Sequence, residues 1–394
     1  MLFARRLTHV TARERVTCAF ENRPYDRVPI YQAGFSSQVA SQILGRHAMV
    51  GGGHAQYQEA VALWQGEQAH AEYLERAWQD AVELCRKLEL DVVRTVYWRM
   101  PEKPTARLDE YIFRYGDGTD HWRVMRYDPQ SELYQIVDQA PQPVPTLEDL
   151  ERQVEAEEEA AERFTPSPDS FAAIKRTEQE FGEDGVPYGG GGVGISLPNT
   201  GPRAALWLEA VALRPDLVAR HFAALATRAE KMAALAGEQG VRYLYGGGDF
   251  ASKHGPFISP RAFRELQLPA LQRVSAACAK AGALHGFASD GNLWPVADDL
   301  FGASGVRFYY EVDCLAGMDF ALLRERFPHL TLMGGVNSST LHRGTVEQVV
   351  AEVRYALAVA KERGGCIVGC SNQIVAGTPM ENFWAMMETL HKER

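Results

Sequence analysis

Leu330-Thr-Leu-Met333, then Val346-Glu-Gln-Val-Val-Ala-Glu-Val-Arg-Tyr-Ala-Leu-Ala-Val-Ala-Lys-Glu-Arg363, then Gly365-Cys-Ile-Val-Gly369, place an amphipathic helical pattern between two short apolar runs. A strand, a helix and a second strand in that order need a crossover connection, so the two strands lie parallel in one sheet. The alternation continues outward. Further strand-like runs are Arg27-Val-Pro-Ile-Tyr31, Asp91-Val-Val-Arg-Thr-Val-Tyr97, 188–197, Val241-Arg-Tyr-Leu-Tyr245, 283–288 and Val306-Arg-Phe-Tyr-Tyr310, and helical patterns cover 56–88, 203–235, 260–281 and 380–392. Eight such runs in 394 residues predict an α/β fold of the (β/α)8 TIM-barrel type, one domain over 1–394. The rival is an open doubly wound sheet. It calls for a GxGxxG turn opening a helix, and the glycine stretches 51–53, 189–192 and 246–248 lack that spacing.

One region interrupts the alternation. Tyr111-Ile-Phe-Arg-Tyr115, Gly116-Asp-Gly118, 121–127 and 133–137 predict an inserted antiparallel β meander, followed by an acidic helix over 148–162. Together they read as an insertion at about 105–185, at the barrel mouth. With 41 Lys+Arg against 51 Asp+Glu the net charge is -10, which argues against nucleic acid as a partner. No run of about eighteen apolar residues supports a membrane span. The start, with Arg5, Arg6, Arg13 and Arg15, has no apolar core of the kind a signal peptide needs. The six cysteines form no CxxC pair and read as reduced thiols, which predicts a cytoplasmic protein.

In a barrel the reactive groups stand at the C-terminal ends of the strands. That rule selects Tyr31 and Gln32 after the first run, Arg94, Tyr97, Trp98 and Arg99 around the second, Asn199 after the third and Asp249 after the fourth. It adds His285 and Ser289-Asp290-Gly-Asn292, Glu311 and Asp313, Asn337, and Cys370-Ser371-Asn372. Asp249 follows three glycines, so it either projects into the mouth or caps the segment starting at Phe250. Glu311 and Asp313 are two apart. On a continuing strand they face the same way and could share a proton or hold a cation; otherwise they are solvated loop acids. Tyr31, Arg94, Trp98 and Arg99 suit a small substrate that is partly aromatic or carries an acid group. The alternative packs Trp98 under the meander and pairs Arg94 with a neighbouring acid.

These residues carry a resemblance. Thr11-Ala-Arg-Glu-Arg-Val-Thr-Cys-Ala-Phe-Glu-Asn-Arg-Pro-Tyr-Asp-Arg-Val-Pro29 resembles the opening of the uroporphyrinogen decarboxylase superfamily. Gly248-Asp249, Ile258-Ser-Pro260, Ser289-Asp-Gly-Asn292, Gly334-Gly-Val-Asn337, Leu341-His-Arg-Gly-Thr345 and Gly377-Thr-Pro-Met-Glu-Asn382 follow in the order of that superfamily, weakest over about 100–185. The resemblance implies a barrel with one of two chemistries. One is decarboxylation of porphyrinogen acetate groups, the other zinc-dependent methyl transfer between a corrinoid and a thiol. The decarboxylase turn Arg-Gln-Ala-Gly-Arg reads Tyr31-Gln-Ala-Gly-Phe35 here, without either arginine, and the decarboxylase histidine near the last strand falls at Asn372. The methyltransferase His-x-Cys-Gly-Asn falls on Ala288-Ser-Asp290-Gly-Asn292, and its second cysteine on Asn372, two residues past Cys370.

His285, Asp290 and Cys370 are therefore the expected set for a zinc ion with one open position. Asp249, His285 and Asp290 are the expected catalytic groups; Tyr31, Gln32, Arg94, Trp98, Arg99, Glu311 and Asn372 are the expected substrate contacts. The resemblance points to a methyltransferase moving a methyl group between a corrinoid on a partner protein and a small molecule. Decarboxylation of a small or tetrapyrrole acid is the alternative, and a catalytically inactive binding barrel the third. The aromatic meander offers a surface for a homodimer.

Overall fold

The computed structural model describes residues 10–201 and 203–394; residues 1–9, with Arg5 and Arg6, lie outside the described residues. The stretch 330–369 folds as its pattern requires. Helix Val346–Arg363 starts at a capping box, in which Gln348 N–H donates to Thr345 Oγ1 (3.3 Å) and Thr345 N–H donates to Gln348 Oε1 (2.8 Å), and it stops at Gly364 with φ 66°. It buries Val349, Val353, Ala356, Leu357 and Ala360 against the sheet and returns the chain to a strand parallel to the one it left. Strands Thr331–Val336 and Cys366–Cys370 pair over five residues, Leu332 to Val336 against Cys366 to Cys370.

The protein is a mixed α/β fold around a curled parallel sheet with helices outside it. The central sheet runs Cys366–Cys370, Thr331–Val336, Phe308–Tyr310, Leu284–Ala288, Tyr243–Tyr245, all parallel. Val92–Val93 pairs in parallel with Val186–Pro187, and Ile30 makes a single parallel bridge to Val368. The expected strand 27–31 is therefore only a bridge, 91–97 shortens to Val92–Val93, and 188–197 keeps only the bridge of Gly190 to Leu244, the two-residue strand Val186–Pro187 lying just before it, because Arg94 to Arg99 and Gly191 to Leu197 leave the ladder as loops. Two expected helices are each broken. Gly66, at φ 127°, divides Gly53–Gln65 from Glu67–Lys87, and Arg214 with Pro215 divides Ala204–Leu213 from Pro215–Glu238. The span 260–281 contains a π-turn over Phe263–Gln267 ahead of helix Leu268–Lys280.

Strand alternation sorts the core into two layers. Even positions of Leu284–Ala288 and the aromatic positions 243, 245, 308 and 310 face inward with Tyr31, Met333 and Ile367, closed at the lower end by Phe20 of helix Ala12–Phe20, whose ring stacks 4.4 Å from Tyr243. Odd positions such as Phe287 face the helices. Residues 106–139 form a four-stranded antiparallel sheet, Ala106–Asp109, Ile112–Asp117, His121–Asp128 and Leu133–Gln139 in that order. Phe113, Tyr115, Met125, Tyr127 and Tyr134 bury its inner face on Tyr57 and Ala60 of helix Gly53–Gln65. The acidic stretch is helix Leu147–Arg163.

Candidate active site

The ends of the fourth, fifth, sixth and eighth strand segments converge on Asp290. At the fourth, Gly247 and Gly248 take φ 105° and 151°. A side chain at Gly247 would enter the backbone of Ala288, so only glycine lets the two segments approach. This turn places Asp249, whose Oδ1 accepts the N–H of Asp290 at 3.0 Å, while Asn199 Nδ2 donates to the Asp249 carbonyl at 2.9 Å. From the sixth segment, Asp313 accepts the N–H groups of Gly291 and Ala316, each at 3.1 Å. From the eighth, Asn372 Nδ2 donates to both carboxylate oxygens of Asp290 at 3.3 and 3.2 Å. Asn372 Oδ1 accepts the N–H of Gln373 at 2.7 Å, so the amide has one orientation only.

Glu311 stands beside this group, but not by strand alternation. The strand ends at Tyr310, and Glu311 has φ 61°, a backbone state uncommon for a side-chain-bearing residue. The expectation that Glu311 and Asp313 face one way on a continuing strand is thereby corrected. Asp313 serves backbone donors instead.

Burial pushes the Asp290 carboxyl up to about 6, with the negative charges of Asp249 and Asp313 adding and the Asn372 amide opposing. Burial, then the charge of Asp290, pushes Glu311 up to about 7, with Arg94 pulling it down. Asp290 ionises first, and its charge then holds the proton on Glu311. Near neutral pH one proton thus belongs to this pair of carboxyls.

Below the acids lies an aromatic floor. Tyr31 and Tyr188 stack with centroids 6.2 Å apart and planes 6° from parallel, and Tyr245 lies 4.6 Å from Tyr188. Tyr310 completes it, its hydroxyl donating to the Gly246 carbonyl. The Arg94 guanidinium lies over Tyr188 at 5.1 Å, Tyr97 at 5.1 Å and Trp98 at 4.5 Å, and donates to the Ala33 carbonyl. Arg94 is thus held by aromatic faces rather than by an acid, and Trp98 is 47% exposed rather than packed under the antiparallel sheet. Sequence reasoning did not single out Tyr188, Tyr245 and Tyr310. For the last two the signal was present, since alternation puts Tyr243, Tyr245, Phe308 and Tyr310 on one face of their runs.

Four expected site residues lie elsewhere. His285 and Cys370 occupy outward-facing strand positions. His285 Nδ1 pairs with Ser275 Oγ at 2.9 Å on the helix side, and burial lowers its pKa to about 4. Cys370 is fully buried in the same layer, its thiol pushed up to about 12. Gln32 also points there, donating to Met387 Sδ at 3.2 Å and accepting from Cys370 N–H at 2.9 Å. Arg99 is bound to the fully buried Glu59. The zinc set His285, Asp290 and Cys370 is therefore not assembled, because alternation turns two of the three away from the mouth. Among the described residues no group of three or more His, Cys, Asp or Glu side chains is arranged to hold a metal ion.

A parallel α/β sheet with acids gathered at the C-terminal ends of its strands defines a protein of the strand-end-site class. The sequence model of the family Uroporphyrinogen decarboxylase (URO-D) matches residues 139–393, and the chain belongs to that family. Among solved structures, a methyltransferase from Methanosarcina mazei shares the fold with a TM-score of 0.64 at 19% identity, over 98% of this chain and 99% of that one. The IOLI protein with a binding zinc atom aligns over 63% of this chain and 84% of that one at 11% identity, with a TM-score of 0.27, too low to carry an argument. No curated protein matches the chain.

Proposed function

We propose that the chain is a methyltransferase moving a methyl group between a small molecule and a corrinoid carried by a partner protein. The observation that carries this reading is the gathering of the Asp290 and Glu311 carboxyls beside the aromatic floor, where burial pushes both upward, to about 6 and about 7. When a methyl group leaves an oxygen or nitrogen, the bonding electrons stay on that atom, which then takes a proton. Glu311 is the group to give it, and Asp290 the group whose charge sets when it is given. The corrinoid, when bound, supplies the nucleophile that accepts the methyl group. Trp98, Phe257 and Leu315 are 47%, 51% and 63% exposed in loops after the second, fourth and sixth segments, and support a rim on which an apolar, flat-faced carrier group docks. Thiol activation by zinc has no part in the proposal, since the ligand set does not fit.

Two further readings belong with it. A closed (β/α)8 barrel is supported by backbone bonds from Tyr31 N–H to Val368 O (3.1 Å), Val92 N–H to Ile30 O (3.2 Å), Tyr188 N–H to Val93 O (2.8 Å) and Tyr245 N–H to Gly190 O (2.7 Å). The same bonds support the reading of one domain over 1–394 with an insertion at about 105–185.

A second function rests on one observation: Arg94 is the cation whose field reaches Glu311. Decarboxylation of a small acid would use Arg94 to hold the carboxylate and Glu311 to protonate the carbanion. The loss of both arginines of the 31–35 turn, and the binding of Arg99 to Glu59, favour methyl transfer. The test mixes the purified protein with cob(I)alamin and a panel of O-, N- and S-methyl compounds and follows methylcobalamin by absorbance. Transfer that falls about 100-fold or more in Glu311→Gln supports the proposal. No transfer, with carbon dioxide released from a carboxylic acid panel, moves it to the second reading; neither activity overturns both.

A further inference from the structure

Arg99 and Trp98, selected in the sequence as contacts for an aromatic or acidic ligand, border a cavity of about 310 Å3 outside the acid cluster. It lies between helices Glu67–Lys87 and Ala172–Phe181 and the segment 95–99. We infer that this cavity is a second binding site, for a planar aromatic carboxylate, independent of the methyl-transfer reading.

The walls favour a flat ring. Tyr73, Trp78, Tyr97 and Trp98 line the cavity, and alanines 77 and 173 leave the space between them. Trp98 and Val96 are 47% and 43% exposed at its edge, so none of the described residues covers it. Trp78 Nε1 is buried with no acceptor among the described residues, a donor that a ligand oxygen would satisfy.

The charges favour one acid group. Arg99 and Arg176 are the charged residues of the lining. Arg99 is committed, because Glu59 is fully buried and also accepts Met100 N–H at 2.9 Å; removing Arg99 would strand a buried carboxylate. Arg176 is not committed. It lies 3.5 Å over the Trp78 ring and pairs with Glu75 at 2.7 and 2.9 Å, but both side chains are nearly half exposed, so that ion pair is weak and can be exchanged for a ligand carboxylate. An amine would be repelled by both guanidiniums, and an aliphatic acid would leave the aromatic faces unused. Arg94 covers one face of Trp98, which connects the cavity wall to the aromatic floor of the mouth.

Isothermal titration of the full chain with 2-naphthoate tests this, with 2-naphthamide as the uncharged control. Saturable binding is expected, with the amide about tenfold weaker. Ala77→Trp, which fills the cavity, should abolish binding, and Arg176→Gln should remove the preference for the acid. Glu311→Gln should leave binding unchanged. Because Arg176 is at the surface, its variant remains informative if Ala77→Trp does not fold. Absence of saturable binding by the wild type, acid preference retained in Arg176→Gln, or loss of binding in Glu311→Gln overturns the inference.

Discussion

Asn372 donates its amide protons to both carboxylate oxygens of Asp290, at 3.2 and 3.3 Å, while its own oxygen is fixed by the N–H of Gln373. The eighth strand segment thereby sets the charge state of a loop that follows the fifth. Expected as a substrate contact, Asn372 is here a positioning residue for an acid.

Asn372→Ala should raise the Asp290 pKa above its value of about 6, since the amide is what opposes burial and the charges of Asp249 and Asp313. Carboxyl carbon chemical shifts titrated in both proteins check this without any substrate. An unchanged Asp290 titration would remove the positioning role.

Glu311 makes stability depend on pH. Its pKa is about 7 in the folded protein and about 4.5 when exposed, so between these values the unfolded chain binds fewer protons than the folded one. Stability should fall as pH rises from about 5 to 8, with Asp290 contributing below about 6, and Glu311→Gln should flatten the slope between about 6 and 8. Thermal melts across this range measure it; a slope retained in the variant would show that another group titrates.

Loss of the proton donor should be visible in turnover. Glu311→Gln and Asp290→Asn are each expected to lower methyl transfer by about 100-fold or more, with Asp290→Asn also shifting the pH profile because its charge no longer holds the Glu311 proton. Equal rates in wild type and both variants would separate the acids from the chemistry.

The helix-side positions of His285 and Cys370 predict a division between stability and activity. Cys370→Ser should lower the melting temperature by burying a hydroxyl in an apolar layer and leave bound zinc and turnover unchanged. Zinc at one ion per chain, lost in that variant, would restore the metal reading.

At the opposite end, Asp91 accepts from Arg15 Nη1 (2.6 Å), Arg394 Nη1 (2.8 Å) and Ile30 N–H (2.9 Å), all buried. Asp91→Ala takes from Arg394 its carboxylate partner and leaves Arg15 with Asp26 alone, and should cost about 3–5 kcal/mol, read from denaturant unfolding.

The parallel order of the strands and the placing of helices between them were legible because apolar periodicity is local, as in 346–363, where pattern and helix coincide. Asp249, Asp290, Glu311 and Asn372 were legible as strand-end residues for the same reason. What the pattern could not decide was direction. His285 and Cys370 lie one alternation step away from inward-facing Gly286 and Gly369, and a single residue of register turns a side chain from the mouth to the helix layer. Arg99 looked free until Glu59, forty positions earlier, was brought under it. The sequence by itself therefore determined the order of strands and helices and the residues available at one end of the sheet. Only the tertiary structure decided which of them meet, because the upward shifts of Asp290 and Glu311 depend on burial and on the charges of Asp249, Asp313 and Arg94, which separate loops bring together.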